Sequence, residues 1–407
     1  MKKLLALVAV LAMALALCTA CGDNNKAGGN ADNNQQTSGD KTITIGIYEP
    51  ASGENGPGGK QEVLGIRYAH SLQPTVEING ETYEVKLQEV DNQSDTTKAV
   101  SAAQNLVAAN VSVVLGSYGS GVAIAGGPYF EQAQIPAIGI SCTNPQVTDG
   151  NDYYFRVCFL DPFQGTVMAN FAKEEMQANT AFVITQLGDD YSAGLGNYFK
   201  QAFEGMGGTV LEAQFQTGET DFNAILTNVL NSDADVIFAP SSIQTAPLLI
   251  QQARQMGITL PILAGDTWEN ESIINNAGQY ATDVYLSTFF DENDTSNPAA
   301  AEFVSGFKAW LNADQQNLTN NGGGDGVAAV SALGFDAYNV ALEAIAAANS
   351  TVGADIRNAL PGVDYTGVTG SITFNETGDA NKDMAYVKTI DVENKNFKFL
   401  KTQSVAE

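Results

Sequence analysis

Val111-Ser112-Val113-Val114-Leu115-Gly116-Ser117-Tyr118-Gly119-Ser120-Gly121-Val122-Ala123 is the stretch that decides the fold. Residues 111–115 form an almost unbroken apolar, β-branched run. A strand of that kind is covered on both faces, as in a parallel sheet. Gly116, Gly119 and Gly121 then permit a tight turn, and apolar residues at helical spacing follow over 122–134. Strand, glycine turn and helix together make one strand-to-helix unit.

The same alternation extends in both directions. Strands are expected at 43–48, 83–90 and 135–140, with helices at 61–72 and 96–110. The pattern restarts after Asp161 with a helix over 162–177, then strands at 181–185, 209–215, 235–239, 261–264 and 284–289. Helices at 195–206, 222–230 and 243–256 lie between them. The last third differs: helices over 298–311 and 327–348 flank a polar Gly/Asn loop at 317–326, and strands follow at 370–374 and 384–399. The expected fold is α/β, with two doubly wound parallel-sheet lobes joined by a multi-strand hinge. The first lobe takes 42–160 plus about 290–370. The second takes 161–289 plus about 371–404.

Composition narrows the function. The 407 residues carry 46 acidic and 19 basic side chains, a net charge of −27. That excludes nucleic-acid binding through a basic footprint and electrostatic docking on anionic lipid. Apolar residues at 44% suffice for a large core. The N-terminus reads as an address: Lys2 and Lys3 precede an apolar run over 4–17, which is short of the roughly 20 residues a membrane span needs. The following Leu17-Cys18-Thr19-Ala20-Cys21 resembles a bacterial lipoprotein signal, with Cys21 as the lipidated residue and Cys18 where leucine is usual. Residues 1–21 are then a signal peptide, and the polar stretch 22–41 is a flexible tether with an r.m.s. span of about 25 Å. Cys142 and Cys158 remain in the body, as a disulfide pair or as two buried thiols.

Familiar catalytic chemistry is not indicated. His70 is the only histidine and sits in a helical stretch. No nucleophile elbow, phosphate loop or metal-ligand spacing occurs, so neither cofactor nor metal is expected. The acidic run from Asp291 reads as a solvated loop leading into a helix.

The informative residues stand at strand C-termini, where open α/β sheets bind ligands. Ser120 opens a helix after the Gly116–Gly121 turn, where free N–H groups suit an anion. The next strand ends in Ser141-Cys142-Thr143-Asn144. In the second half, Tyr191 follows Asp189 and Asp190, and Asp266-Thr267-Trp268 follows the strand at 261–264. An acid at a strand end can hold an ammonium group, with an aromatic beside it. Carboxylate on one lobe and ammonium on the other would suit a zwitterion.

These fragments carry a resemblance over the whole body. Ile45-Gly46-Ile47 with Pro50-Ala51-Ser52-Gly53, then 116–123 and 140–148, are similar to the leucine/isoleucine/valine-binding branch of the type I periplasmic binding proteins. So are Tyr154-Phe155-Arg156 with Asp161 and Gly165, Asp190-Tyr191-Ser192-Ala193-Gly194, and Phe335-Asp336-Ala337-Tyr338. The resemblance implies a non-enzymatic, monomeric receptor that closes like a flytrap on an amino acid and presents it to an ABC permease from a lipid anchor. An amide or aromatic acid as ligand, or a sensing role, is the alternative. It also implies that Ser120, Ser141 and Thr143, with Cys142 between them, grip the ligand carboxylate, that Tyr191 lines the second lobe, and that Asp266 receives the ammonium. Where relatives place an aromatic over the ligand, this chain has Gly56-Pro57-Gly58-Gly59, leaving Tyr118 or Trp268 to fill that role.

Overall fold

The computed structural model describes residues 41–294 and 296–404. The expected signal peptide at 1–21, the expected lipidation at Cys21 and the expected tether up to residue 40 lie outside the described residues.

The first sheet is built from β1 (Thr42–Glu49), β2 (Thr75–Ile78), β3 (Glu81–Asp91), β4 (Val113–Leu115), β5 (Ala137–Gly139) and β6 (Tyr154–Arg156). Its order is β2-β3-β1-β4-β5-β6, parallel except for β2, which pairs antiparallel with β3. Helices α1 (Gly56–Leu72), α2 (Thr96–Ala108) and α3 (Ser120–Gln132) connect the strands. Strand order reverses between β1 and β4, so the crevice opens beyond Glu49 and Leu115.

The chain then crosses into α4 (Asp161–Glu174), β7 (Thr180–Leu187), α5 (Asp190–Gly205), β8 (Thr209–Gln216), α6 (Asn223–Leu230) and β9 (Val236–Phe238). It continues through α7 (Ala246–Gln255), β10 (Ile262–Ala264), α8 (Glu271–Ala277) and β11 (Val284–Thr288). Four helices follow: α9 (Pro298–Asn312), α10 (Gln315–Asn320), α11 (Ala329–Ala348) and α12 (Gly353–Ala359). They return to the first lobe, where Tyr68 of α1 meets Phe303, Phe307, Trp310 and Phe335 at ring-centroid distances of 5.5–6.0 Å. Aromatic clustering of this size anchors α1 firmly.

The hairpin β12 (Tyr365–Gly367) and β13 (Gly370–Ile372) precedes β14 (Met384–Asp391) and β15 (Asn396–Ser404). The last two add antiparallel strands to the second sheet, whose order is β15-β14-β11-β10-β9-β7-β8. The α/β class and the two hinged, doubly wound lobes are as expected, with antiparallel strands at the edges. Three segments cross between lobes. Two of them meet through Phe159 and Phe289, with centroids 4.3 Å apart.

The differences are local. The polar stretch at 317–326 begins inside α10, whose N-cap Asp314 accepts from the Gln316 N–H. An Asx cap of this kind stabilises a first turn that composition alone reads as loop. Asp291 is buried rather than solvated, because Lys388 of β14 reaches it at 3.0 Å. Cys142 and Cys158 are free, buried thiols.

Candidate functional site

The lobes touch through hydrogen bonds made by residues next to the sequence candidates. Asn144 Nδ2 donates to the Asp190 carbonyl at 2.8 Å, and Tyr118 OH to the Thr267 carbonyl at 3.4 Å. Further along the seam, Gln186 donates to Glu54 at 3.0 Å, the Ile243 N–H to Asn55 at 3.1 Å, and Asn270 to Gln61 at 2.8 Å. This is a closed arrangement. Thr143 and Asp266, the sequence neighbours of Asn144 and Thr267, therefore both stand at the interface.

Two of the expected residues hold unsatisfied groups. The Thr143 hydroxyl is fully buried and makes no hydrogen bond of good geometry. Asp266 accepts at Oδ1 from Gln164 (2.8 Å) and Tyr191 (3.0 Å), while its Oδ2 has no donor. Burial raises the Asp266 carboxyl to about 6, against the pull of those two donors. Buried polar atoms of this kind are rare in folded proteins, and leaving them unpaired is costly. A hydroxyl donor on one lobe and a carboxylate oxygen on the other form a pair suited to a carboxylate and an ammonium.

The other candidates are placed differently. Ser120 Oγ accepts from the Asn144 N–H at 3.1 Å, tying the start of α3 to the next loop while its own proton stays available. Ser141 turns its hydroxyl to Glu62. Its side chain is therefore committed within the first lobe, which leaves its backbone as the group it can offer a ligand. The Cys142 thiol packs in the core cluster of Tyr48 and Tyr154, beside Gly139. Trp268 is fully buried, with Nε1 3.3 Å from Ser241 Oγ. The Tyr118 ring rests where a side chain on Gly58 would stand.

Arg156 shapes the loop that carries these groups. Its guanidinium pairs with Asp379 at 2.6 Å and donates to the Cys142 and Asn144 carbonyls at 2.8 and 2.7 Å and to Thr148 Oγ1 at 2.6 Å. One buried cation thus fixes both sides of Thr143. Lys388 has a similar role in the second lobe, joining Glu269 at 2.5 Å and Asp291 at 3.0 Å.

Sequence reasoning missed two acids. Glu49 ends β1, and its Oε2 accepts from the Tyr118 N–H at 2.7 Å. Its Oε1 lies where a Gly116 side chain would be and has no donor. Glu62 of α1 uses Oε1 for Ser141 and leaves Oε2 without a donor. Burial raises Glu62 to about 8, and burial together with the charge of Glu62 lifts Glu49 well above the usual carboxylate range. Glu49 could have been found by the rule that located Asp266, an acid directly after an apolar strand. Among the described residues no three-ligand metal cluster occurs, and no helix is long and apolar enough to cross a membrane.

Comparison with known proteins agrees with this geometry. A profile described as periplasmic binding protein matches residues 42–395. An amino acid binding protein of Pseudomonas aeruginosa is 29% identical over 273 residues, covering 66% of this chain and 72% of that protein. The crystal structure of the leucine-binding protein LivK from Thermotoga maritima superposes with a TM-score of 0.82 at 32% identity, covering 89% of this chain and 99% of the other. The branched-chain amino acid transporter substrate-binding protein LivJ from Streptococcus pneumoniae, solved with isoleucine, gives 0.79 at 28% identity, with 90% and 99% covered. By its profile match, its hinged lobes and its cleft at the strand ends, the chain belongs to the periplasmic binding proteins, in the type I branch that includes the leucine/isoleucine/valine-binding proteins.

Proposed function

We propose that this chain is the extracytoplasmic substrate-binding lipoprotein of an ABC importer, carrying an amino acid in the cleft between its lobes. The carrying observation is the complementary pair at the closed seam: the Thr143 hydroxyl, which makes no hydrogen bond of good geometry although the Asp161 carboxyl lies beside it, and Asp266 Oδ2, which has no donor, both of them buried. Tyr191 and Gln164 hold the other Asp266 oxygen and so aim the free one. Ser120 and the N–H groups that open α3 add donors for the ligand carboxylate. Closure is the signal that a permease reads, since a ligand favours the form in which it contacts both lobes. The lipoprotein-like sequence ending at Cys21 supports attachment to the membrane surface. Family membership and fold are those of binding proteins, which supports a receptor without catalytic turnover.

The test is thermal unfolding of the full chain against the twenty amino acids, followed by calorimetry. A ligand at 100 times its dissociation constant adds about 2.7 kcal/mol, a rise of roughly 5–10 °C for lobes of this size. Asp266→Ala is expected to weaken binding by about 2–4 kcal/mol, because an ammonium would be left unpaired in a closed cleft. A chain that no amino acid stabilises, or an Asp266→Ala variant with unchanged affinity, overturns this reading.

A further inference from the structure

Charge balance at the seam goes beyond a generic amino-acid site. Glu49 Oε1, Glu62 Oε2, Asp266 Oδ2 and both Asp161 oxygens are buried without donors. Only two Lys or Arg side chains are buried among the described residues, and both are committed: Arg156 to Asp379, and Lys388 to Glu269 and Asp291. A zwitterion brings one positive and one negative charge, so its net contribution to this field is zero. Its ammonium can satisfy Asp266, and the Glu49–Glu62 pair is then still uncompensated.

The approach to the seam has the same sign. A pocket of about 200 Å³ beside Tyr118 and Gly119 is lined by Glu54, Asp95, Asp189 and Asp190, with no Lys or Arg. A mouth of one charge over low-dielectric walls raises the local concentration of the opposite charge.

We propose, resting on the amino-acid reading above, that the ligand carries a second, cationic N–H group that Glu49 and Glu62 receive: a basic amino acid rather than an aliphatic one. Each glutamate has one oxygen held within the first lobe. Glu49 Oε2 is fixed by the Tyr118 N–H and Glu62 Oε1 by the Ser141 hydroxyl, while Oε1 of the first and Oε2 of the second have no donor from any other residue. The two carboxyls lie close enough to hydrogen-bond to each other when one is protonated. The missing side chain at Gly116 makes room for the Glu49 carboxyl. Because burial first of all keeps this pair partly protonated, with one carboxyl hydrogen-bonded to the other, a bound cation drives protons off it. The titratable groups that act on or are acted on by the pair are Asp266, Tyr48, Tyr118, Tyr154, Cys142 and Cys158.

The test is calorimetry on the full chain at pH 7 with L-lysine, L-arginine and L-leucine, in two buffers of different ionisation enthalpy. The expected result is that lysine or arginine binds at least tenfold tighter than leucine, with protons released. Glu62→Gln keeps the shape and the bond to Ser141, and it should lower the lysine-to-leucine preference at least tenfold. Glu49→Gln serves as a second variant if Glu62→Gln unfolds. Leucine binding tighter than both basic amino acids overturns the inference, and so does a preference unchanged in the glutamine variants. Either result leaves the amino-acid reading in place. A chain that binds none of the three, nor any other amino acid, overturns both.

Discussion

The ring of Tyr118 occupies the space that a side chain on Gly58 would fill, so the two residues exclude each other. Gly58 lies in the first turn of α1, and Tyr118 in the turn after β4. Gly58→Ala places a methyl group inside the ring. Overpacking of this kind costs about 1–3 kcal/mol, which exceeds the helix-propensity gain of up to about 1 kcal/mol from losing glycine. Denaturant unfolding should show the loss. In a Tyr118→Ala background the same substitution should be neutral or stabilising, because the conflicting ring is gone. Equal losses in both backgrounds would contradict the contact.

Much of this arrangement was legible in the residues. Near-continuous apolar runs at 43–48 and 261–264 announced buried parallel strands, and Asp266 stood out as an acid just beyond one of them. β6 is as short as β4, but Asp152 and Arg156 interrupt its apolar residues, so it lacks the continuous apolar run that marks the others. Glu62 was hidden for another reason. It falls within a helical pattern and looks like any surface acid until α1 docks against the Ser141 strand end. For Ser141 and Cys142, strand-end position does not say which way a side chain turns. The committed hydroxyl of Ser141 and the buried thiol of Cys142 follow from tertiary neighbours alone.

Arg156→Met should destabilise the chain by about 3–5 kcal/mol, since it leaves Asp379 buried without its cation. The same change frees the Cys142 and Asn144 carbonyls on either side of Thr143. Ligand affinity should therefore fall as well, although Arg156 offers no group of its own to the cleft. Urea unfolding and calorimetry on one preparation separate the two effects. Arg156→Met together with Asp379→Leu removes both charges and should recover part of the stability without recovering affinity. Full recovery of affinity in the double variant would show that the loop needs no such tether.

The raised carboxyls make closure itself sensitive to pH. Asp266 at about 6 and Glu62 at about 8 owe their shifts first to burial, and both stand next to residues bonded across the seam, Thr267 to Tyr118 and Gln61 to Asn270. Opening the lobes returns both groups to water and to ordinary carboxylate values. Protonation therefore favours the closed, ligand-free form, fully so below about pH 4 and progressively less as pH rises through 6 and then 8. Each unit of difference is worth about 1.4 kcal/mol, so two such groups suffice to shift the balance between forms. Small-angle scattering of the ligand-free chain should give a larger radius of gyration at pH 8.5 than at pH 5. Long-range repulsion from the net charge of −27 has the same sign, so the comparison belongs at about 0.3 M salt, where surface charges are screened and buried ones are not. Asp266→Asn with Glu62→Gln should remain compact at both pH values. A wild-type chain of equal size at pH 5 and pH 8.5 would mean that the seam stays shut without a proton or a ligand to neutralise it, and the acids would then have to be compensated in some other way.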